Sequence, residues 1–314
     1  MTFYDGVFPF YPHERQTWVF CVDYIIVIIV FLVFALAFIL IIPGIRGRVR
    51  ISWACRVIIS LFIGAVTVAV NFTTDWEVGS VDTTTTYKSF SDVTVNASIG
   101  VQVGFNGVNI TLKGNPIHQI NETIDYNEQF LWSFGSNFNE YYNDGLKKGL
   151  PNPILYVAEK FTQYDPCGLF AQYRISGHYA SACMWVAFCS WIISNILFSM
   201  PVFIYGAYMI LVTAAFIILS LISYSTVRNA TFCNIQLGSE SLKTQYGASF
   251  WLSLATGLIC FIIGITLLLL HWCVPEKLKL IFNTIEEDEE DEEDSATEQY
   301  INQHCYTNGA FQNV

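Results

Sequence analysis

Charge is what this sequence has least of. Asp, Glu, Lys and Arg make up 13% of its 314 residues, about half the share of an ordinary globular domain. From Ile175 to Val227 there is none at all. The net charge of −11 misleads, because nine acids lie in one run, "EEDEEDEED" (Glu286 to Asp294), and the remainder balances at −2. A basic face that could neutralise a phosphate backbone is missing, which excludes nucleic-acid binding. Grouped thiols are missing too. The nine cysteines are scattered singly, with no CxxC and no Cys/His spacing suited to zinc. No GxSxG, HExxH, P-loop or strand-flanking GxGxxG occurs. Histidines number five. His178 and His271 fall near opposite ends of apolar stretches, too far apart in a bilayer of ~30 Å to share a haem or metal.

What the chain has in excess is apolar length: 53% hydrophobic residues and a mean hydropathy of +0.44. Runs of about 18 or more apolar residues read as membrane-crossing helices. Residues 24–42, 53–72, 177–199, 202–224 and 250–272 meet that description, with "SMP" (Ser199 to Pro201) dividing the third from the fourth. The fold class predicted is an α-helical multi-pass membrane protein of five spans. Ionisable groups are absent from the span interiors, which disfavours a channel or transporter.

Orientation follows from two signals. The connection "PGIRGRVRISWACR" carries Arg46, Arg48, Arg50 and Arg56 and no acid, so residues 43–52 form a cytosolic arginine-rich loop. Asn-X-Ser/Thr acceptors occur at Asn71, Asn96, Asn109, Asn121 and Asn229 and must face the lumen. Five spans then place 1–23, 73–174 and 225–248 outside or in the lumen. The tail, 273–314, lies in the cytosol, its acidic run self-repelling and disordered. The first apolar run starts too late and runs too long for a cleaved signal peptide, so it reads as a retained anchor.

The large loop 73–174 shows strand periodicity. Apolar residues alternate from Val93 to Phe105, Asn106-Gly107 supplies a hairpin turn, and Val108, Ile110 and Leu112 alternate again. A two-residue Asn106-Gly107 turn pairs Phe105 with Val108, Val103 with Ile110 and Val101 with Leu112. Asn96 and Asn109 then face water with Thr94, Ser98, Gln102, Thr111 and Lys113. The Thr-rich segment before the hairpin offers a further strand. Phe134, Phe138, Tyr142 and Leu146 predict an amphipathic helix stopped by Gly149 and Pro151, and Pro153 opens a short helix through Phe161. Asn71 and Asn229 lie too close to the membrane for the glycosylating enzyme, leaving Asn96, Asn109 and Asn121 as the expected glycan sites. Glu122, Asp125 and Glu128 read as solvated loop acids, with a calcium site or catalytic pair as the sharper alternative. Cys167 and Cys233 are the two thiols in luminal loops; they pair with each other, or with a partner's thiol.

Beyond these patterns the chain resembles a known family. "PGIRGRVR" (Pro43 to Arg50), "SLFIGA" (Ser60 to Ala65), "GVNITL" (Gly107 to Leu112) and "INETIDYNEQF" (Ile120 to Phe130) are similar to the dual oxidase maturation factors. So are "GLPNPILYVAEKF" (Gly149 to Phe161), "PCGL" (Pro166 to Leu169) and "GHYASA" (Gly177 to Ala182). "FYPHERQ" (Phe10 to Gln16) and "KTQYGASFW" (Lys243 to Trp251) lean toward the second of the family's two paralogues. The resemblance implies a non-enzymatic, N-out membrane glycoprotein of the endoplasmic reticulum. It implies a claudin-like arrangement of the last four helices and an antiparallel β-sheet, preceded by one extra helix. Its partner would be a dual oxidase, an NADPH oxidase with haem and flavin that makes hydrogen peroxide. The chain would be required for that oxidase's export and activity, and would join it at the plasma membrane. It would hold no cofactor, no metal and no catalytic residue of its own. The alternative is a claudin-like adhesion or barrier protein, although the claudin GLW signature with paired cysteines is absent. A thiol-exchange enzyme built on Cys167 or Cys233 would lack both a CxxC and a group to lower a thiol's pKa.

Overall fold

The computed structural model describes residues 22–44, 49–88, 93–120, 122–133, 135–162, 168–200, 203–230, 235–237 and 240–273. Two helices come first, α1 (Val22–Ile41) and α2 (Val49–Ala69), α1 ending in a 3-10 turn at Ile42–Gly44. Strands β1 (Glu77–Thr86), β2 (Thr94–Val103), β3 (Gly107–Gln119) and β4 (Glu122–Leu131) follow, then helices α3 (Phe138–Lys148) and α4 (Asn152–Lys160). Long helices α5 (Leu169–Phe198) and α6 (Phe203–Ala230) come next. Short strands β5 (Ile235–Leu237), β6 (Glu240–Leu242) and β7 (Thr244–Tyr246) lead into α7 (Ala248–Cys273).

Four helical stretches are long and apolar enough to cross a membrane: Val22–Gly44, Ala171–Phe198, Ile204–Val227 and Ala248–Cys273. The apolar part of α2, Trp53–Ala69, is shorter. Hydroxyl groups in these helices are satisfied locally, as lipid surroundings require: Thr67 donates to Ile63 O, Thr213 to Met209 O and Ser253 to Ser249 O. Others join helices. Ser60 donates to Asn195 Oδ1 at 2.6 Å, Ser194 to Gly206 O and Ser220 to Ala180 O. Ser60 and Gly64 stand four residues apart on α2, and Gly64 permits close approach, since a Cβ there would come within 2.6 Å of the Trp191 ring.

Helices α5 and α6 run beyond the stretches 177–199 and 202–224 expected from the sequence. In the structure α5 starts at Leu169 and α6 continues to Ala230. These extra turns carry Leu169, Tyr173 and Val227 into the sheet's core, all buried.

The sheet has five antiparallel strands in the order β4-β3-β2-β1-β7, with β5-β6 as a separate pair. One face is apolar and closed: Val95, Ile99, Val101, Val103, Val108, Ile110, Leu112 and Ile124 are each at most 1% exposed. The faces agree with the alternation in the sequence, while the register differs from that of an Asn106-Gly107 turn. Val103 pairs with Val108, Val101 with Ile110 and Ile99 with Leu112. The turn is Phe105-Asn106, closed by Gly104 N–H donating to Gly107 O at 2.9 Å. Both registers put apolar residues opposite apolar ones, because they differ by two and preserve the faces. Phe105 decides between them: its ring is fully buried against Trp76, with centroids 4.1 Å apart, and its carbonyl accepts from Trp132 Nε1.

The stretch read as an acidic loop is strand β4. Alternation places Asp125 on one face and Glu122 and Glu128 on the other, so the three acids form no common cluster. Helix α3 starts at an Asn137 cap and stops at Gly149, whose φ of 68° favours glycine. It thus starts after Phe134, which lies outside the described residues. Helix α4 matches its prediction, with Pro153 in the first turn.

Trp76 anchors this arrangement, fully buried, with Nε1 donating to Val70 O at 2.8 Å. Trp76→Ala should cost about 4 kcal/mol, the scale of a large core truncation. Trp76→Phe, which loses chiefly the hydrogen bond, should cost about 1 kcal/mol. Chemical denaturation of the detergent-solubilised protein followed by far-UV circular dichroism checks the order of the two.

Candidate functional site

Two surfaces of the sheet carry the distinctive side chains. The inner one is the seat on the helices. There Glu77, the first residue of β1, is 2% exposed. Its Oε2 accepts from the Tyr173 hydroxyl of α5 at 2.9 Å, and its Oε1 accepts from Thr244 Oγ1 of β7. One carboxyl group thereby ties the sheet's start, its short edge strand and the top of α5. Around it runs an aromatic layer. Trp76 contacts Phe105, Tyr224 and Phe250; Tyr173 contacts Tyr224 and Phe161; Phe161 stacks on Trp132. The Tyr224 hydroxyl donates to Val103 O. Sequence reasoning missed Glu77, because its partners lie 96 and 167 residues away. A lone acid between Trp76 and Val78 at a membrane boundary was the available signal.

The far end of the sheet has a second buried pair. The Tyr87 and Tyr126 hydroxyls meet at 2.7 Å, linking the end of β1 to β4. Burial and that bond push the Tyr87 phenol well above its usual range. Lys88 beside it pairs with Glu122.

The outer surface is polar and mostly uncharged. Ser80, Asp82 and Thr84 of β1, Asn96, Ser98 and Gln102 of β2, and Asn109, Thr111 and Lys113 of β3 share it. Asp125, Asn127 and Gln129 of β4 complete it. Amides and hydroxyls bond one another across strands: Thr84 to Asn96 Oδ1 at 2.6 Å, and Asn109 Nδ2 to Gln102 Oε1 at 3.1 Å. Asn96 is exposed and Asn109 half-buried. The Oδ1 of Asn109 has no partner among the described residues.

The remaining sequence candidates separate clearly. Asn71 is sealed at 3% exposure, donating to Thr67 O and accepting from Ser181 Oγ. Asn229 falls in the last turn of α6. Asn121, Cys167 and Cys233 lie outside the described residues. His178 sits toward the sheet end of α5 and His271 at the opposite end of α7. Among the described residues no group of three or more His, Cys, Asp or Glu gathers as a metal site.

These features define a class: a membrane protein of apolar helices with an antiparallel sheet seated on them, its polar groups spent on tying elements together. The sequence profile of the family described as "DuoxA: Dual oxidase maturation factor" matches residues 10–286. The chain belongs to the dual oxidase maturation factor family. It is 55% identical over 284 residues to Dual oxidase maturation factor 1 of Xenopus laevis, covering 90% of this chain and 92% of the relative. Human Dual oxidase maturation factor 2 is 49% identical over 283 residues, covering 90% and 88%. Human Dual oxidase maturation factor 1 is 48% identical over 283 residues, covering 90% and 82%. Identity to the two human proteins is near equal and so separates neither paralogue. As a member of this family the chain is a non-enzymatic accessory protein.

Removing the carboxyl at Glu77 takes the acceptor from the buried Tyr173 hydroxyl and the half-buried Thr244 hydroxyl. Glu77→Ala should lose on the order of 3 kcal/mol, and Glu77→Gln, which keeps an acceptor, less than half of that. Limited proteolysis in detergent checks this, with cleavage near β7 rising in Glu77→Ala and not in Glu77→Gln.

Proposed function

We infer that this chain is the maturation and assembly partner of a dual oxidase, required for that enzyme's export from the endoplasmic reticulum and for its hydrogen peroxide output. The observation that carries the reading is the family match across residues 10–286, with relatives named for dual oxidase maturation covered over nine-tenths of this chain. The mechanism is stoichiometric association in a heteromer. The outer sheet surface docks the oxidase's luminal part, and the helices flank its membrane part. The arrangement of α1 supports this: none of its residues is buried, and its described ring contact is Phe38 against Trp53 of α2. Such a helix presents apolar surface to a second membrane protein. Haem, flavin and peroxide chemistry belong to the oxidase.

The membrane arrangement is part of the same reading. The chain crosses five times, α2 being the fifth span beside the four longer stretches. The N-terminus and the sheet lie in the lumen, and the arginine-rich connection and acidic tail in the cytosol. The last four spans with the sheet form a claudin-like unit behind α1. An antiparallel sheet seated on α2, α5, α6 and α7 supports that comparison. Glycans sit at Asn96, Asn109 and Asn121. The parity of β2 and β3 supports the first two, and Asn109 can keep its bond to Gln102 because a glycosylated amide retains one N–H. Cys167 and Cys233 form a disulfide, with each other or with a thiol of the partner. Support for the first pairing is that these thiols flank the start of α5 and the end of α6, neighbours whose Tyr173 and Tyr224 rings touch. Nothing observed favours the adhesion or barrier alternative.

Co-expression in cells lacking the family tests the central reading. Oxidase glycan maturation, surface level and extracellular hydrogen peroxide should all rise together only when both chains are present. An oxidase that matures alone would overturn it. Glycan mapping tests the orientation: Asn96→Gln and Asn109→Gln should each remove one glycosidase-sensitive mobility step. Asn71→Gln should remove none while lowering stability, since its side chain bridges α2 and α5.

A further inference from the structure

A cavity of about 220 Å³ lies between α2, α5, α6 and α7 at the end of the bundle away from the sheet. Ile59, Ile63, Phe198, Ile210, Ile263 and Leu267 form much of its wall. The polar side chains that reach it bond within the protein: Ser60 to Asn195, Asn195 Nδ2 to Trp191 O, Ser194 to Gly206 O and Thr213 to Met209 O. The exception among the described residues is Trp191, whose buried Nε1 has no partner. The space equals roughly seven waters by liquid volume, but each water needs two to four polar partners. The surface the wall presents is almost wholly hydrocarbon, so few such partners face the space. Packed interiors leave few voids larger than a single water, so an apolar occupant fits better than solvent or vacuum.

One charge lines the cavity, Arg56 of α2. The residue is exposed, and its guanidinium donates to Phe198 O at 3.0 Å and lies 5.2 Å from the centre of the Phe198 ring. Phe198 is the last residue of α5, so these contacts hold the cation at the cavity's mouth, beside a helix C-terminus. A guanidinium at helix-end depth keeps its head at the membrane interface while its stem follows apolar wall. Arg50, nearer the start of α2, carries the same sign.

We propose that this cavity is a lipid site: it takes one acyl chain of an anionic phospholipid from the cytosolic leaflet, whose phosphate sits at Arg56. Three features converge on that chemistry. The wall is shaped for hydrocarbon, the mouth carries a bidentate phosphate binder, and the depth is that of the inner headgroups. Anionic lipids are concentrated in that leaflet, and basic pockets between helices on that side recognise them. The leaflet assignment rests on the orientation proposed above. The occupant stabilises the contact between α2 and α5, the joint through which α1 is carried on the bundle. The lipid would thus set the stance of α2 and α1 relative to the other helices.

Trp191 provides the probe. The full chain is placed in nanodiscs containing phosphatidylserine or phosphatidylcholine with brominated acyl chains, and the Trp191 contribution is taken as the difference between wild type and Trp191→Phe. Brominated phosphatidylserine should quench that contribution at several-fold lower mole fraction than brominated phosphatidylcholine. Arg56→Gln should abolish the difference, Arg56→Lys should keep part of it, and Ile263→Phe should reduce quenching by filling the cavity. Equal quenching by both lipids in wild type would overturn the proposal, as would a preference unchanged in Arg56→Gln. So would quenching by a brominated sterol and by neither phospholipid. Should Arg56→Gln not fold, loss of the wild-type preference at high salt replaces that arm, and a salt-insensitive preference counts against the proposal. Both leaflets of a nanodisc carry the same lipid, so a failed orientation leaves this result standing and a failed lipid site leaves the orientation standing.

Discussion

Trp76 lies where three parts of the chain converge. Its indole N–H satisfies Val70 O just past the end of α2, and its ring sits among Phe105 of the hairpin turn, Tyr224 of α6 and Phe250 of α7. A sheet and a membrane bundle ordinarily have no reason to share one core, since lipid is as apolar as any side chain and supplies no hydrophobic drive between helices. Here the drive returns at the boundary. Where α5 and α6 meet the sheet, burying Leu169, Tyr173, Tyr224 and Val227 in one core with its strands removes apolar surface from water. The sheet is therefore continuous with the bundle through a layer of large aromatic groups. Glu77 makes the same joint directional, because its two hydroxyl partners come from different elements.

That joint also accounts for the hairpin. A two-residue turn at Asn106-Gly107 suits local chain chemistry, but it would leave Phe105 in a strand pair instead of at the turn. Moving the turn to Phe105-Asn106 lets the ring pack beneath Trp76. It also frees the Asn106 amide to donate to Asn71 O and its carbonyl to accept from Trp132 N. Asn71 is in turn held by Thr67 and Ser181. An acceptor motif at this position is thus part of the seam, and its side chain is closed to any modification in the folded state.

The sequence makes periodic features legible and long-range ones opaque. Apolar runs locate the helices, and alternation assigns the faces of β2 and β3, because both signals repeat along the chain. Register, span ends and the Glu77 tie depend on residues far apart, and no local pattern encodes them. Strand β4 escaped for a related reason. Its inner face carries Glu128 between Tyr126 and Phe130, so the alternation that would mark a strand is broken at one position. The short strand β7 joins the sheet over only three residues, too few for periodicity to register.

The bundle and α1 are held by different means, and that difference bears on what an accessory membrane protein must do. Helices α2, α5 and α6 are locked by side chains that hydrogen-bond between helices and by close approach at Gly64, and α7 lies against α6 by close approach of Gly264 to Leu211. Helix α1 has no glycine, serine or threonine along its length, and none of its residues is buried. Without such groups a helix in lipid gains little by choosing one neighbour over another. A partner's helices can therefore engage α1 without unpacking the bundle or disturbing the sheet. On the function proposed above, the sheet surface and α1 are separate docking surfaces, and engaging one leaves the other unchanged.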